Sequence, residues 1–273
     1  MRSVNDEGRL NKFSDGQFHL AVNRFSVKRF GKEGKMGYYG GYYGYYFDPT
    51  YFLVLIGAVL CIWAQARVTS TYNKYSRVQS RTGMTGAQAA QRILQMSGIY
   101  DVRIEHVRGS LTDHYDPAHK VLRLSDSVYG STSVAAIGVA AHECGHAVQH
   151  DKGYAPLKIR SALVPAANIG SKAGIPLILL GALLGMNHML IQIGIWVFAL
   201  AVLFQVVTLP VEFNASGRAL AMLGNYGMLE RDETAGCRRV LSAAALTYVA
   251  AAASAILQLL RLVLLFGNNR DRD

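Results

Sequence analysis

Charge is scarce in this chain. Only 17% of its 273 residues are Asp, Glu, Lys or Arg, against about a quarter in a soluble domain. The shortage speaks against an ordinary soluble enzyme, because 51% of the residues are hydrophobic and they cluster in long runs. Cysteine is also sparse. Cys61, Cys144 and Cys237 are far apart, odd in number and never in a CxxC pair, which argues against a disulfide framework. Cys61 falls in an apolar run and reads as a packing residue. A secretory signal of the usual form is missing, since the first long apolar run begins only near Tyr51. Acidic residues are outnumbered, giving a net charge of +10. Such a balance can serve nucleic acid or an anionic membrane surface. No RNP-like motif, helix-turn-helix signal or zinc finger is present, so nucleic acid is not an expected partner.

Much of the excess charge lies at the start. Residues 1–35 hold Arg2, Arg9, Lys12, Arg24, Lys28, Arg29, Lys32 and Lys35, and without them the net charge falls to +6. The stretch has no periodicity and reads as a disordered basic tail, or as sequence before a native start at Met36. The Tyr/Gly run 37–46 follows, with rings suited to a membrane interface.

A helix needs about 20 apolar residues to cross a hydrocarbon core. Four stretches qualify. Tyr51–Ala66, extended through Thr69, is the first. Ala162–Gly185 is interrupted by Pro165, Lys172 and Pro176: either it is a kinked span with its lysine against protein, or only Ala173–Met186 inserts deeply. Met189–Leu209 follows after a link so short that it demands a helical hairpin. Ala243–Phe266 is the last, with Arg261 either snorkelling or paired within the bundle. The chain thus divides into a tail (1–35), a Tyr/Gly segment with the first span (36–69), a polar segment (70–160), a hairpin of spans (161–211), a second polar segment (212–241) and a last span with its tail (242–273). Basic residues flank both polar segments and are absent from the 187–188 link, which puts both segments on the cytoplasmic side. The basic tail and Arg270 and Arg272 run against that orientation.

Within 70–160, Thr85-Gly86-Ala87-Gln88 has capping-box spacing and Gly98 can close the helix it opens. Val102–Val107 and Val121–Leu124 read as strands, with turns at Gly109-Ser110 and Asp116-Pro117. Ser131 or Ser133 then caps a small-residue helix, Val134–Gln149, which carries His142-Glu143-Cys144-Gly145-His146.

Positions i and i+4 lie on one helix face, about 6 Å apart along the axis. His142 and His146 can therefore hold one zinc ion, with Glu143 placed as general base toward its water. A catalytic zinc needs a further protein ligand. His150 is excluded, because it lies about 12 Å along the axis from His142. Glu212 is the best candidate: it follows the third span, which the hairpin returns to the face where the histidines lie. Its alternative is an interfacial ion pair with Arg218.

Leu111–Pro117, Val121–Ser125, Gly138–Ala147, Thr208–Ser216 and Ala243–Ala250 together resemble the neutral zinc metallopeptidases of bacterial membranes. The resemblance covers about residues 45 to 266. It implies a zinc-dependent membrane peptidase of the gluzincin type with a carboxylate ligand. Position 216, where some gluzincins carry Asp, is Ser here, which leaves open what supports the ligands. His114, or less favourably Tyr115, is a candidate donor to the oxyanion. Asn214 and Arg218 are candidates for holding Glu212 or substrate, and His106, His119 and His188 read as surface residues. Val121–Leu124 is a candidate edge for binding an extended peptide. The expectation is a mainly α membrane protein: about four transmembrane helices and a small zincin-like α+β cytoplasmic part. It would be a multi-pass cell-membrane zinc endopeptidase acting on membrane-associated proteins or peptides among lipid. A non-catalytic metal-binding scaffold or adaptor is the rival.

Overall fold

A computed structural model describes residues 48–267. The expectations for the basic tail, the Tyr/Gly run, Arg270 and Arg272 lie outside the described residues.

Four helices are long and apolar enough to cross a membrane: α1 (Tyr51–Tyr75), α5 (Ala155–Leu183), α6 (His188–Asn225) and α7 (Arg231–Phe266). Between α1 and α5 lie α2 (Gly86–Met96), β1 (Arg103–Val107), β2 (His114–Asp116), β3 (Val121–Ser125), α3 (Asp126–Tyr129) and α4 (Val134–Asp151). The protein is mainly helical, with one small sheet among the described residues.

The long helices leave large apolar side chains exposed, among them Phe52, Ile62 and Trp63 of α1, Leu179 and Leu183 of α5, and Trp196 of α6. A patch of that kind is a liability in water and the ordinary surface in lipid. Packing inside the bundle relies on small residues that let backbones approach. A Cβ on Gly57 would stand 2.6 Å from Ser254 Oγ of α7. Gly174 and Gly194 face the hairpin partner in the same manner, with a Cβ at 2.8 Å from Phe198 and 2.6 Å from Ile178 respectively. Asn187 caps α6 by accepting from Leu190 N, which closes the hairpin. Arg261 is paired: its Nε donates to Thr50 Oγ1 at 3.2 Å and its guanidinium lies 4.2 Å over the Tyr51 ring. Lys172 is an exposed residue of a helix continuous from 155 to 183.

The polar stretch from Glu212 to Arg239 is almost wholly helix. Val211, Glu212, Ala215, Ala219, Met222 and Leu223 are buried at helical spacing, so α6 runs on through Pro210 as an amphipathic helix. Only a short turn separates it from α7. Hydropathy drops at Leu209, but the helix signal does not.

In the polar part, Thr85 and Gln88 form the capping box of α2 and Ser133 caps α4 through Ala136 N. The sheet order is β1-β3-β2, with β1 parallel and β2 antiparallel to β3. This corrects the reading of Val121–Leu124 as an edge. β3 is the central strand, and four of its five residues are buried because both of its sides are paired and a face packs on helix. The edge position next to it belongs to β2, which the Asp116-Pro117 turn signal concealed. The core joins α2, β3 and α4 to the inner ends of α6 and α7, with Ile93, Leu122, Ile137, Cys144, Leu223 and Cys237 all buried. α4 is therefore wrapped on several sides, which explains its run of small residues.

Gly174→Val should destabilise the hairpin by about 1–3 kcal/mol through overpacking. Gly217→Ala should stabilise α6 by up to about 1 kcal/mol, because no atom lies within 4 Å of a Cβ there. Equilibrium unfolding in mixed micelles measures both, and equal effects would contradict the close packing of α5 on α6.

Candidate metal centre

α4 and α6 cross where Gly145 meets Ala215. A Cβ on Gly145 would lie 2.5 Å from the Ala215 carbonyl oxygen. The two variable positions of the motif are thus constrained by packing: Gly145 lets α6 in, and Cys144 fills the core behind. The Cys144 thiol is buried against Ala90 O, and burial pushes its pKa well above the ordinary value.

This approach brings Glu212 between the histidines. His142 Nε2 is 3.2 Å and His146 Nε2 is 3.6 Å from the same carboxylate oxygen, Glu212 Oε2. The three side chains form a group able to hold a metal ion, with donor atoms within 4.8 Å of one another. Zinc–donor bonds of about 2.0–2.2 Å in a tetrahedron put donors roughly 3.4 Å apart, so the two measured spacings fit. The imidazoles are 15% and 12% exposed and the carboxylate 3%, leaving a narrow opening on the histidine side.

The other nitrogens are occupied. His142 Nδ1 lies 3.1 Å from Ser216 Oγ, so Ser stands where an Asp would support the ring. His146 Nδ1 donates to Gln149 Oε1 at 3.0 Å. The amide is itself fixed, since its Nε2 donates to Val211 O at 2.8 Å and Asn214 Oδ1 at 3.0 Å. Arg218 Nε completes the chain on Asn214 Oδ1 at 2.7 Å. With the proton on Nδ1, a neutral His146 turns a lone pair toward Glu212 Oε2. Two acceptors so placed attract only through a cation or proton between them, which is the chemistry of a metal site.

Glu143 is buried beside this group. Burial raises its carboxyl to about 7, with His142 lowering it and Glu212 and Asp113 raising it further; the Tyr115 main-chain N–H opposes the rise. β2 therefore lies against Glu143. The Tyr115 side chain turns elsewhere: its hydroxyl is hydrogen-bonded with His150 Nδ1 at 2.8 Å, and burial pushes its pKa up to about 12. His150 is thus held outside the metal group. His114 Nδ1 donates to Thr112 O at 2.9 Å, and its Nε2 lies 3.4 Å from Arg123 Nη1. His106 and His119 pair with Asp126 and Asp116.

Glu212 pairs with Arg160, whose Nη1 is 3.3 Å from Oε1, rather than with Arg218. Sequence reasoning missed Arg160 and Gln149. Gln149 had a weak signal, lying one turn beyond His146; Arg160 had none, because a basic residue at the mouth of a span reads as an anchor.

The family described as "Putative neutral zinc metallopeptidase" matches residues 50–267. The chain belongs to that family. It is 49% identical over 222 residues to a protein named "Putative membrane protease YugP" from Bacillus subtilis (strain 168), a match covering 81% of this chain and 98% of that protein. No solved structure matches it. Zinc is the metal that the family implies, and the donor set of two imidazoles and a carboxylate suits it.

Gly145→Ala should drive α4 from α6 and weaken zinc binding by at least about ten-fold, the scale of lost ligand support. Competition with a chromophoric chelator measures it; wild-type affinity would contradict the tight crossing.

Proposed function

We propose that the protein is a zinc-dependent endopeptidase cleaving membrane-associated substrates at the cytoplasmic membrane surface. The observation that carries this reading is the convergence of two imidazole Nε2 atoms on one oxygen of Glu212, with both Nδ1 atoms engaged elsewhere. His142, His146 and Glu212 would hold the metal. Zinc bound there supplies a Lewis acid that activates water and polarises a peptide carbonyl.

Glu143 does the proton work. It takes a proton from the attacking water and passes it to the leaving amine nitrogen as the C–N bond breaks. A carboxyl near neutrality can do both, because general acid–base catalysis is best served by a pKa close to the working pH. β2 is the strand beside which an extended substrate would lie, supported by its edge position and by the Tyr115 N–H against Glu143. His114 is the proposed donor to the oxyanion. In that role its ring turns from Thr112 O and Arg123 Nη1, the partners of its two nitrogens here.

The membrane location follows from helix lengths. Glu212 lies about 36 Å from the start of α6 at 1.5 Å per residue. A hydrocarbon core of roughly 30 Å beginning near Met189 would end a few ångströms short of it. Membrane proteins and their juxtamembrane segments are the substrates that can reach such a site. Arg67, Lys74, Lys152, Lys158, Arg231 and Arg238 cluster at this end of the helices, while the 184–187 turn at the other end carries no basic residue; that asymmetry supports the cytoplasmic side.

Glu143→Gln should lower proteolysis by about 10²–10⁴-fold and retain zinc, whereas Glu212→Ala should lose the metal. Chelation should abolish activity and added zinc restore it. Full proteolysis by the Glu143→Gln protein would sink the peptidase reading and leave a metal-binding scaffold.

A further inference from the structure

The two oxygens of Glu212 have different neighbours. Oε2 faces His142 Nε2 and His146 Nε2. Oε1 faces Arg160 Nη1 at 3.3 Å. Arg160 comes from the second turn of α5, and the connection from α4 is only residues 152–154. Gly153, at φ +62°, turns the chain so that α5 comes back beside the ligands. The carboxylate is nearly without water, at 3% exposure, while Arg160 keeps 27%. A guanidinium stays charged at any pH of interest and attracts the carboxylate oxygen it faces.

We infer that Arg160 is a positioning residue that restricts Glu212 to one metal-binding oxygen and so keeps coordination positions open for water and substrate. The inference rests on the zinc-peptidase reading of this site. A carboxylate can take one or two positions around a zinc ion. It takes two only when both oxygens turn toward the ion, and that requires Oε1 to leave Arg160. The histidines cannot compensate by rotating, since Ser216 and Gln149 hold their far nitrogens. The number of open positions is therefore governed at Oε1. An open position is what separates a catalytic zinc from a closed structural one. Arg160 also ties the metal group to α5, an element that contributes no ligand.

The test uses the full-length protein in detergent micelles, stripped of metal and loaded with Co2+ as a probe. The intensity of the visible d–d bands reports coordination number, being strong for four donors and weaker for five or six. Wild type should give the strong bands. Arg160→Ala should give bands several-fold weaker, as Oε1 turns to the ion, and its zinc affinity should shift by about ten-fold. Should that variant not fold, Arg160→Gln, similar in length and uncharged, is read in the same way. Wild-type bands in the folded variant overturn the inference whatever happens to affinity, because a merely structural ion pair would leave the spectrum alone. If wild type itself takes up no Co2+, the metal reading falls and this inference with it.

Discussion

Glu212 carries its charge where water scarcely reaches, and the surrounding elements supply what water would have supplied. Removing a carboxylate from water costs several kcal/mol unless partners replace the solvent. Two elements provide them for the carboxylate that α6 presents: α4 gives two imidazoles on one oxygen and α5 gives a guanidinium on the other. The imidazole contacts cannot form unless α4 and α6 touch, and they touch because Gly145 has no side chain opposite Ala215 O. The small-residue character of α4 is therefore a condition of the site. The same contacts suit a cation, since Gln149 engages His146 Nδ1 while its Nε2 faces Glu212 Oε2.

The parts of this arrangement legible in the sequence are those with a fixed period or a fixed chain path. His142 and His146 share a face by helical spacing alone. Glu212 follows from topology, because a hairpin of spans returns the chain to the membrane face it left. The capping box of α2 is local and equally readable, whereas the α4 cap reads as Ser131 or Ser133 and falls on Ser133. The supporting groups are different in kind. Gln149 is one turn from His146, yet its amide is useful only because Val211 O and Asn214 arrive from another helix. Ser216 can reach His142 Nδ1 despite being shorter than Asp because the helices are already close. Arg160 looks like any basic residue at the mouth of a span.

The strands show the same limit. Val121–Leu124 has the apolar content of either a central or an edge strand, and its neighbours decide which. The deciding neighbour, β2, has three residues and ends in a strong turn signal, so propensity gave it no weight against Asp116-Pro117. Pairing with β3 forms it: Tyr115 lies opposite Leu122, and His114 opposite Arg123. The helices run past the apolar stretches for another reason. A fall in hydropathy marks where lipid would stop, not where a helix stops, and α6 continues for four turns past Leu209 on an amphipathic pattern.

That continuation joins the bundle to the chemistry. α6 contributes Glu212 directly, Ser216 against His142, and Asn214 through Gln149 to His146. The polar part holds the histidines and Glu143, but neither it nor the bundle contains a complete donor set. The same α6 packs on α5 through Gly174 and Gly194, inside the apolar bundle. A helix seated at one end by lipid and at the other by a buried charge has little freedom to slide. A shift of one residue, about 1.5 Å along the axis, would break the contacts to both histidines together. The geometry of the metal group is thus set by the depth at which α6 is held, which gives a physical reason for building a site of this kind on a membrane helix.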